Sequence, residues 1–191
     1  ELTAIKAAKA HVIFQSFSGP SGIAFAKQFT ELEIPTIVVG PLHEAAGKGF
    51  WEATGGKGNY MTGDDMVGRV EITLKTIPFW DKYVARYNDY PFVHAGAVYD
   101  AIYMAKEAIE RAGSLNADAL VTELEKQDFL GVIGRTVFTS NHEVTYGIGY
   151  STHIGIQWQD GKREVYYPLV YKGAVKFKVN PKVVEYWKGK P

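Results

Sequence analysis

The chain has 191 residues, 46% of them hydrophobic, which is enough for a sizeable apolar core in one large domain or two smaller lobes. Lys plus Arg and Asp plus Glu number 21 each, so the formal charge is zero and no block of like charge offers a surface to nucleic acid. There is no cysteine, which excludes a disulfide framework and a thiolate metal site, and no apolar run approaches the roughly 18 residues of a membrane span.

"ELTAIKAAKAHVIF" has no initiator Met and opens in what reads as the middle of a helix leading into a strand, the pattern expected of a fragment of a longer chain. If the protein is exported, its signal has been removed. Residues 2 to 9 read as a helix end, 11 to 16 as a strand and 23 to 33 as a helix, with Ile23, Ala26, Phe29 and Leu32 on one face and Ser21 as N-cap. "PTIVVG" (35 to 40) is a short apolar strand of the kind covered on both faces, so a parallel α/β sheet is its natural host. Residues 41 to 69 are glycine-rich, and their apolar spacing is too irregular to assign.

"PFWDKYVARYNDYP" follows, with Pro78 suited to a first helical turn, Pro91 marking the end, and Phe79, Tyr83, Val84 and Tyr87 on one stripe. The strongest helix spans roughly 94 to 112, with Val98, Ile102, Ala105 and Ile109 at three and four spacing and Gly113 as stop. Asn116 then caps "ADALVTELEKQ". From 132 the period becomes two: "VIGRTVFT", "STHIGIQWQ" and "KREVYYPLVY" read as strands, and Asp160-Gly161 as a hairpin turn. The order is βαβ, then helices, then a β-hairpin.

The turn in "HVIFQSFSGPSG" sits where a phosphate loop would sit, between strand and helix. Yet GxxxxGK[ST] and GxGxxG are both absent, and Pro20 removes an N–H donor, so an ordinary strand-to-helix turn is the better reading. "GPSGI" lacks the final Gly of a GxSxG elbow; Ser18 or Ser21 with a His base remains the enzyme alternative. "HEAAG" (43 to 47) and "HEVTY" (142 to 146) begin like HExxH but lack the second His, so they read as loop histidines rather than metal ligands. Phe17, Phe50, Trp51, Tyr90 and Phe92 fall in loops, where they either wall a pocket or pack loops onto the sheet.

Three stretches together resemble a family: "AIKAAKAHVIFQSFSGPSGIAFAKQFTELEIPTIVVG", "FVHAGAVYDAIYMAKEAIERAGSLNADALVTELEKQDFLGVIGRTVF" and "GIQWQDGKREVYYP". They are similar to the C-terminal part of a type I periplasmic solute-binding protein of the branched-chain amino acid ABC importer class, an extracellular ligand-binding receptor. The most specific element is Tyr99-Asp100-Ala101 with the later "F.GV.GR..F" and "W.DGK....YP". The resemblance implies an α/β fold of two Rossmann-like lobes that close on a solute, here incomplete, with 1–70 and 150–191 in lobe two and 71–149 in lobe one. It implies no cofactor, no metal and no catalysis, a membrane permease as partner, and a periplasmic or extracellular location, with a lipid anchor in the intact protein as one arrangement. The implied ligand-binding positions are Phe17, Ser18 and Gly19 after the first strand, Leu42, His43 and Glu44 after the second, and His94 at the entrance to the long helix.

Leu42 stands where some amino acid binders carry an acid after Gly-Pro, with Glu44 two residues on, and the Tyr some members carry at Ser18 is missing. Other small carboxylates or amides are therefore open beside α-amino acids. Strand ends of this kind are where open α/β sheets take ligands, and hinge closure then excludes water. A ligand-sensing domain of a receptor is a third use of the same fold. A fragment with uncovered strand edges and apolar faces is expected to self-associate or exchange segments.

Overall fold

The computed structural model describes residues 1–190. Alanine-rich α1 (Leu2–Ala8) ends at Lys9, which adopts the left-handed region. The two all-apolar triplets form β1 (Val12–Phe14) and β2 (Ile37–Val39), parallel, with Val12 opposite Ile37 and Phe14 opposite Val39. Between them α2 (Ser21–Glu31) buries Gly22, Ala26 and Phe29. Ser21 is the first residue of that helix rather than its cap; the cap position falls to Pro20, which has no side-chain acceptor. The unassigned stretch condenses into a 3-10 turn (His43–Ala46), a short α3 (Phe50–Ala53) and β3 (Thr62–Asp65). The strand is invisible in "TGDD" because it carries no apolar alternation and is held by its neighbours instead.

Helix α4 (Thr76–Tyr87) starts two residues before Pro78, and it ends on left-handed Asn88 rather than at Pro91. Helix α5 (Ala95–Ala112) stops on left-handed Gly113. Its buried side carries Gly96, Asp100, Met104 and Ala108, whereas Val98 and Ile102 of the apolar stripe are 56% and 64% exposed. Asn116 caps α6 (Ala117–Glu125) by accepting the Ala119 N–H at 3.2 Å. Strands β4 (Asp128–Leu130) and β5 (Arg135–Val137) form a hairpin, of which only the second arm is evident in the sequence. The hairpin β6 (Ile154–Gln159) to β7 (Lys162–Tyr167) turns at Asp160 and Gly161, both at positive φ. A last helix, α7 (Pro181–Trp187), is capped by Asn180, whose Oδ1 accepts the Lys182 N–H at 3.0 Å. Among the described residues no helix is long and apolar enough to cross a membrane.

The chain divides into two compact units: residues 1–65, 155–169 and 174–191, and residues 66–154 and 170–173. In the first unit the β1–β2 pair and the β3–β6–β7 sheet are joined by side chains. Gln15 Nε2 donates to the Thr62 carbonyl at 2.9 Å, and Thr62 Oγ1 donates to the Val38 carbonyl at 3.2 Å. Gln157 and Gln159, both buried on β6, then hold the segment that follows β7: Gln157 Nε2 donates to the Lys178 carbonyl at 2.9 Å and Gln159 Nε2 to the Lys176 carbonyl at 3.0 Å. The second unit is built on Val67, Trp80, Val132 and Ile133. Buried Asp100 of α5 accepts the N–H groups of Val132 at 2.8 Å and Ile133 at 3.1 Å. A Cβ on Gly131 would lie 2.0 Å from Asp100 Oδ2, so that approach requires glycine.

Candidate functional site

Two turns lie side by side in the first unit, one after each parallel strand. Phe17 and Leu42 form a parallel bridge: the Phe17 N–H donates to the Pro41 carbonyl at 3.0 Å, and the His43 N–H donates to the Phe17 carbonyl at 3.3 Å. The chain reverses out of β2 at Gly40, where φ is +113° and a Cβ would stand 2.2 Å from the Gln15 carbonyl oxygen. Only glycine fits there. Phe17, Ser18, Gly19, Leu42, His43 and Glu44 are thus assembled at the C-terminal ends of β1 and β2, the edge at which parallel α/β sheets take ligands.

The six do not present themselves equally. Ser18 is exposed, and Phe17, His43 and Glu44 are half-buried. Leu42 is fully buried, with its side chain against the position a Cβ on Gly22 would take, so it supports the turn from below. The Phe17 ring packs 4.8 Å from Phe25, the first of a line of rings running along α2 to Phe29. Glu44 is engaged with the neighbouring turn. One of its carboxylate oxygens accepts the Gly19 N–H in a short hydrogen bond, and the other lies where a Cβ on Gly22 would come within 2.6 Å of it. A carboxylate there holds the turn that precedes α2 rather than capping the helix itself, its second oxygen is buried with no hydrogen-bond partner, and its charge sits near the positive end of the helix dipole.

A search of curated proteins found no match. A periplasmic binding protein family profile matches residues 1–149. The chain belongs to the periplasmic binding protein family. Its fold is that of type I periplasmic binding proteins. A putative branched-chain amino acid ABC transporter from Silicibacter pomeroyi is similar at a TM-score of 0.77 and 21% identity, over 95% of this chain and 50% of that one. The branched-chain amino acid transporter substrate binding protein LivJ from Streptococcus pneumoniae, in complex with isoleucine, is similar at a TM-score of 0.67 and 24% identity, over 86% and 47%. A solute binding protein of an ABC transporter from R. palustris, in complex with benzoate, is similar at a TM-score of 0.69 and 18% identity, over 92% and 47%. The chain spans about half the length of these three solved structures.

Within this periplasmic binding protein, His94 belongs to the other unit, where it is exposed at the N-cap of α5. The loop aromatics divide. Phe50 is buried against Trp158, with centroids 5.7 Å apart, and Trp51 stacks on the same indole at 5.9 Å, so both pin α3 to β6. Trp158 Nε1 donates to the Ala45 carbonyl at 2.8 Å and thereby anchors the turn that carries His43 and Glu44. Tyr90 packs on Trp80 at 5.2 Å, while Phe92 is exposed.

Sequence reading passed over the residues that support the turns: Gln15, Gly22 and Trp158. Gln15 carried the clearest signal, an amide at the end of an apolar strand, where only a structural or binding role justifies burying it. The supporting pair Asp65 and Arg163, on β3 and β7, is completely buried, with Arg163 Nη2 2.5 Å from Asp65 Oδ2. It was hidden because its members lie 98 positions apart. Among the described residues no group of three or more His, Cys, Asp or Glu is placed to hold a metal ion.

Proposed function

We propose that this chain is the solute-gripping part of the binding component of an ABC importer. It takes a small organic solute, an amino acid or a related small carboxylate or amide, between two lobes, carries out no catalysis, and presents the closed form to a membrane permease. The observation that carries this reading is the pairing of the Phe17–Gly19 and Leu42–Glu44 turns at the ends of β1 and β2. There an exposed Ser18 hydroxyl, the half-buried Phe17 ring and the His43 imidazole offer orientation and apolar contact. We assign the unit of residues 1–65, 155–169 and 174–191 to lobe two and the unit of residues 66–154 and 170–173 to lobe one, with His94 contributing from the latter. Membership of a periplasmic binding protein family supports a periplasmic or extracellular location; a lipid anchor in the intact protein is one arrangement consistent with this proposal.

Isothermal titration of the full-length gene product against branched-chain amino acids, benzoate and short-chain acids or amides tests the reading. Saturable one-to-one heat with the solute recovered unchanged supports it. No binding across the panel, or conversion of the solute, overturns it.

We also propose that the 191-residue chain associates with itself. In the short strand β1, Phe14 is 74% exposed and Val12 is also bare, which leaves apolar side chains on a strand with one free edge among the described residues. Light scattering should show a mass that rises with concentration, and Phe14→Lys should reduce it. A concentration-independent monomer refutes the idea.

A further inference from the structure

A cavity of about 640 Å³ opens in the first unit, away from the two turns. It lies between the end of α2, the residues leading into β2 and the segment from Phe177 to Tyr186, and none of Phe17 to Gly19 or Leu42 to Glu44 lines it. Its size is that of a small-molecule pocket. The floor is apolar and buried: Phe29, Ile34, Met61 and Val183. The rim is cationic, with Lys6, Lys57, Lys178 and Lys182 against one lining carboxylate, Glu33.

Each of these ammonium groups has a partner now, and each partnership is at the surface. Lys57 pairs with Glu31, Lys182 with Glu33 at 2.6 Å and Lys178 with Asp160 at 2.7 Å, all between side chains more than two-fifths exposed. Lys6 Nζ donates to the Leu32 carbonyl at 2.6 Å. Exposed pairs of this kind contribute little and are readily exchanged, so a lysine can turn to an incoming anion at small cost.

From this combination of a buried apolar floor and a ring of exchangeable lysines we infer a second binding site, for a single-chain amphipathic anion such as an alkyl carboxylate. The chain lies on the Phe29–Val183 floor and the carboxylate meets the lysine rim. The site goes beyond the solute site proposed above and does not depend on it.

The test uses decanoate, decyltrimethylammonium and decanol below their aggregation concentrations. Decanoate should bind one-to-one and at least about tenfold tighter than the cation, because the rim attracts one head group and repels the other. The double variant Lys6→Ala/Lys178→Ala should weaken decanoate about fivefold with little effect on decanol. Val183→Trp, which fills the floor, should abolish both. Methyl resonances should shift at Ile34, Met61 and Val183. Equal affinity for the two charged probes, unchanged decanoate binding in the lysine variant, non-saturable uptake, or shifts confined to Leu42 and Ala45 would each overturn the inference.

Discussion

In the first unit, the carboxylate of Asp65 at the end of β3 is buried against the guanidinium of Arg163 on β7, with side chains 0% and 1% exposed. In the second, the carboxylate of Asp100 is buried against the backbone N–H groups of Val132 and Ile133. Both devices satisfy a charge that burial would otherwise make prohibitive. They fasten different things, however. The ion pair ties together two strands that are separated by β6 in the sheet order. The backbone-bound carboxylate ties a helix to a four-residue turn, and it demands glycine at position 131. The first is sensitive to which partner is removed, the second to anything that alters one small volume.

Breaking the ion pair should have the largest effect. Arg163→Met leaves the Asp65 charge inside the sheet without its counter-charge, at a cost of about 3–5 kcal/mol. Adding Asp65→Asn removes the buried charge and should restore much of that loss. Urea unfolding of the two variants checks this: if the double variant is no more stable than the single, the pair is not what makes the arginine necessary.

Gly131→Ala tests the second device. Its new methyl would meet Asp100 Oδ2 at 2.0 Å, and relieving that overlap should cost about 1–3 kcal/mol. The pH dependence separates the two units further. Burial pushes the Asp100 pKa above its ordinary value of 3.8, outweighing the Val132 and Ile133 hydrogen bonds that pull it down. A carboxyl raised in the folded state binds its proton more tightly there than in the unfolded chain. Its favourable contribution is complete below pH about 3.8 and is lost as pH rises through the raised folded value. Stability measured from pH 3 to 7 should therefore show wild type losing ground to Asp100→Asn as pH rises. A difference independent of pH, or one of opposite slope, contradicts this.

How much of this was legible in the sequence follows from the range of the interactions. The βαβ opening, the α5 stop at Gly113, the Asn116 cap and the Asp160-Gly161 hairpin depend on neighbours in sequence, and each stands where the pattern puts it. The first turn was legible as a strand-to-helix connection, whereas both turns entered as ligand positions only through the family resemblance, and the roles within them were not legible. Leu42 and Glu44 look alike as turn residues, and only the fold makes one a support beneath the turn and the other a tie to the Gly19 N–H of the neighbouring turn. The stripe of Val98 and Ile102 misleads for a related reason: periodicity locates a helix but does not say which face is covered, and here a carboxylate and small residues occupy the buried side. Strand β3 and the Asp65–Arg163 pair are tertiary in origin and have no local signal.

Glu44 gives the smallest effect and the sharpest use of the comparison, because its carboxylate, like that of Asp100, accepts a backbone N–H, but with one oxygen only, the other being buried without a partner, and it lies in the unit that holds the ion pair. Glu44→Ala removes the acceptor for Gly19 and the negative charge near the start of α2, and should cost about 0.5–1.5 kcal/mol, the net worth of a hydrogen bond. Glu44→Gln keeps an acceptor and loses only the charge, so it should recover all but about 0.3–1 kcal/mol of that loss, the share belonging to the helix dipole. Amide hydrogen exchange reads the effect locally, through faster exchange at Gly19 and in the first turn of α2. If Glu44→Ala weakens solute binding while leaving that exchange untouched, the carboxylate serves the ligand directly; if the two change together, the turn at Ser18 is held in shape by Glu44, and its influence on the solute passes through the helix end.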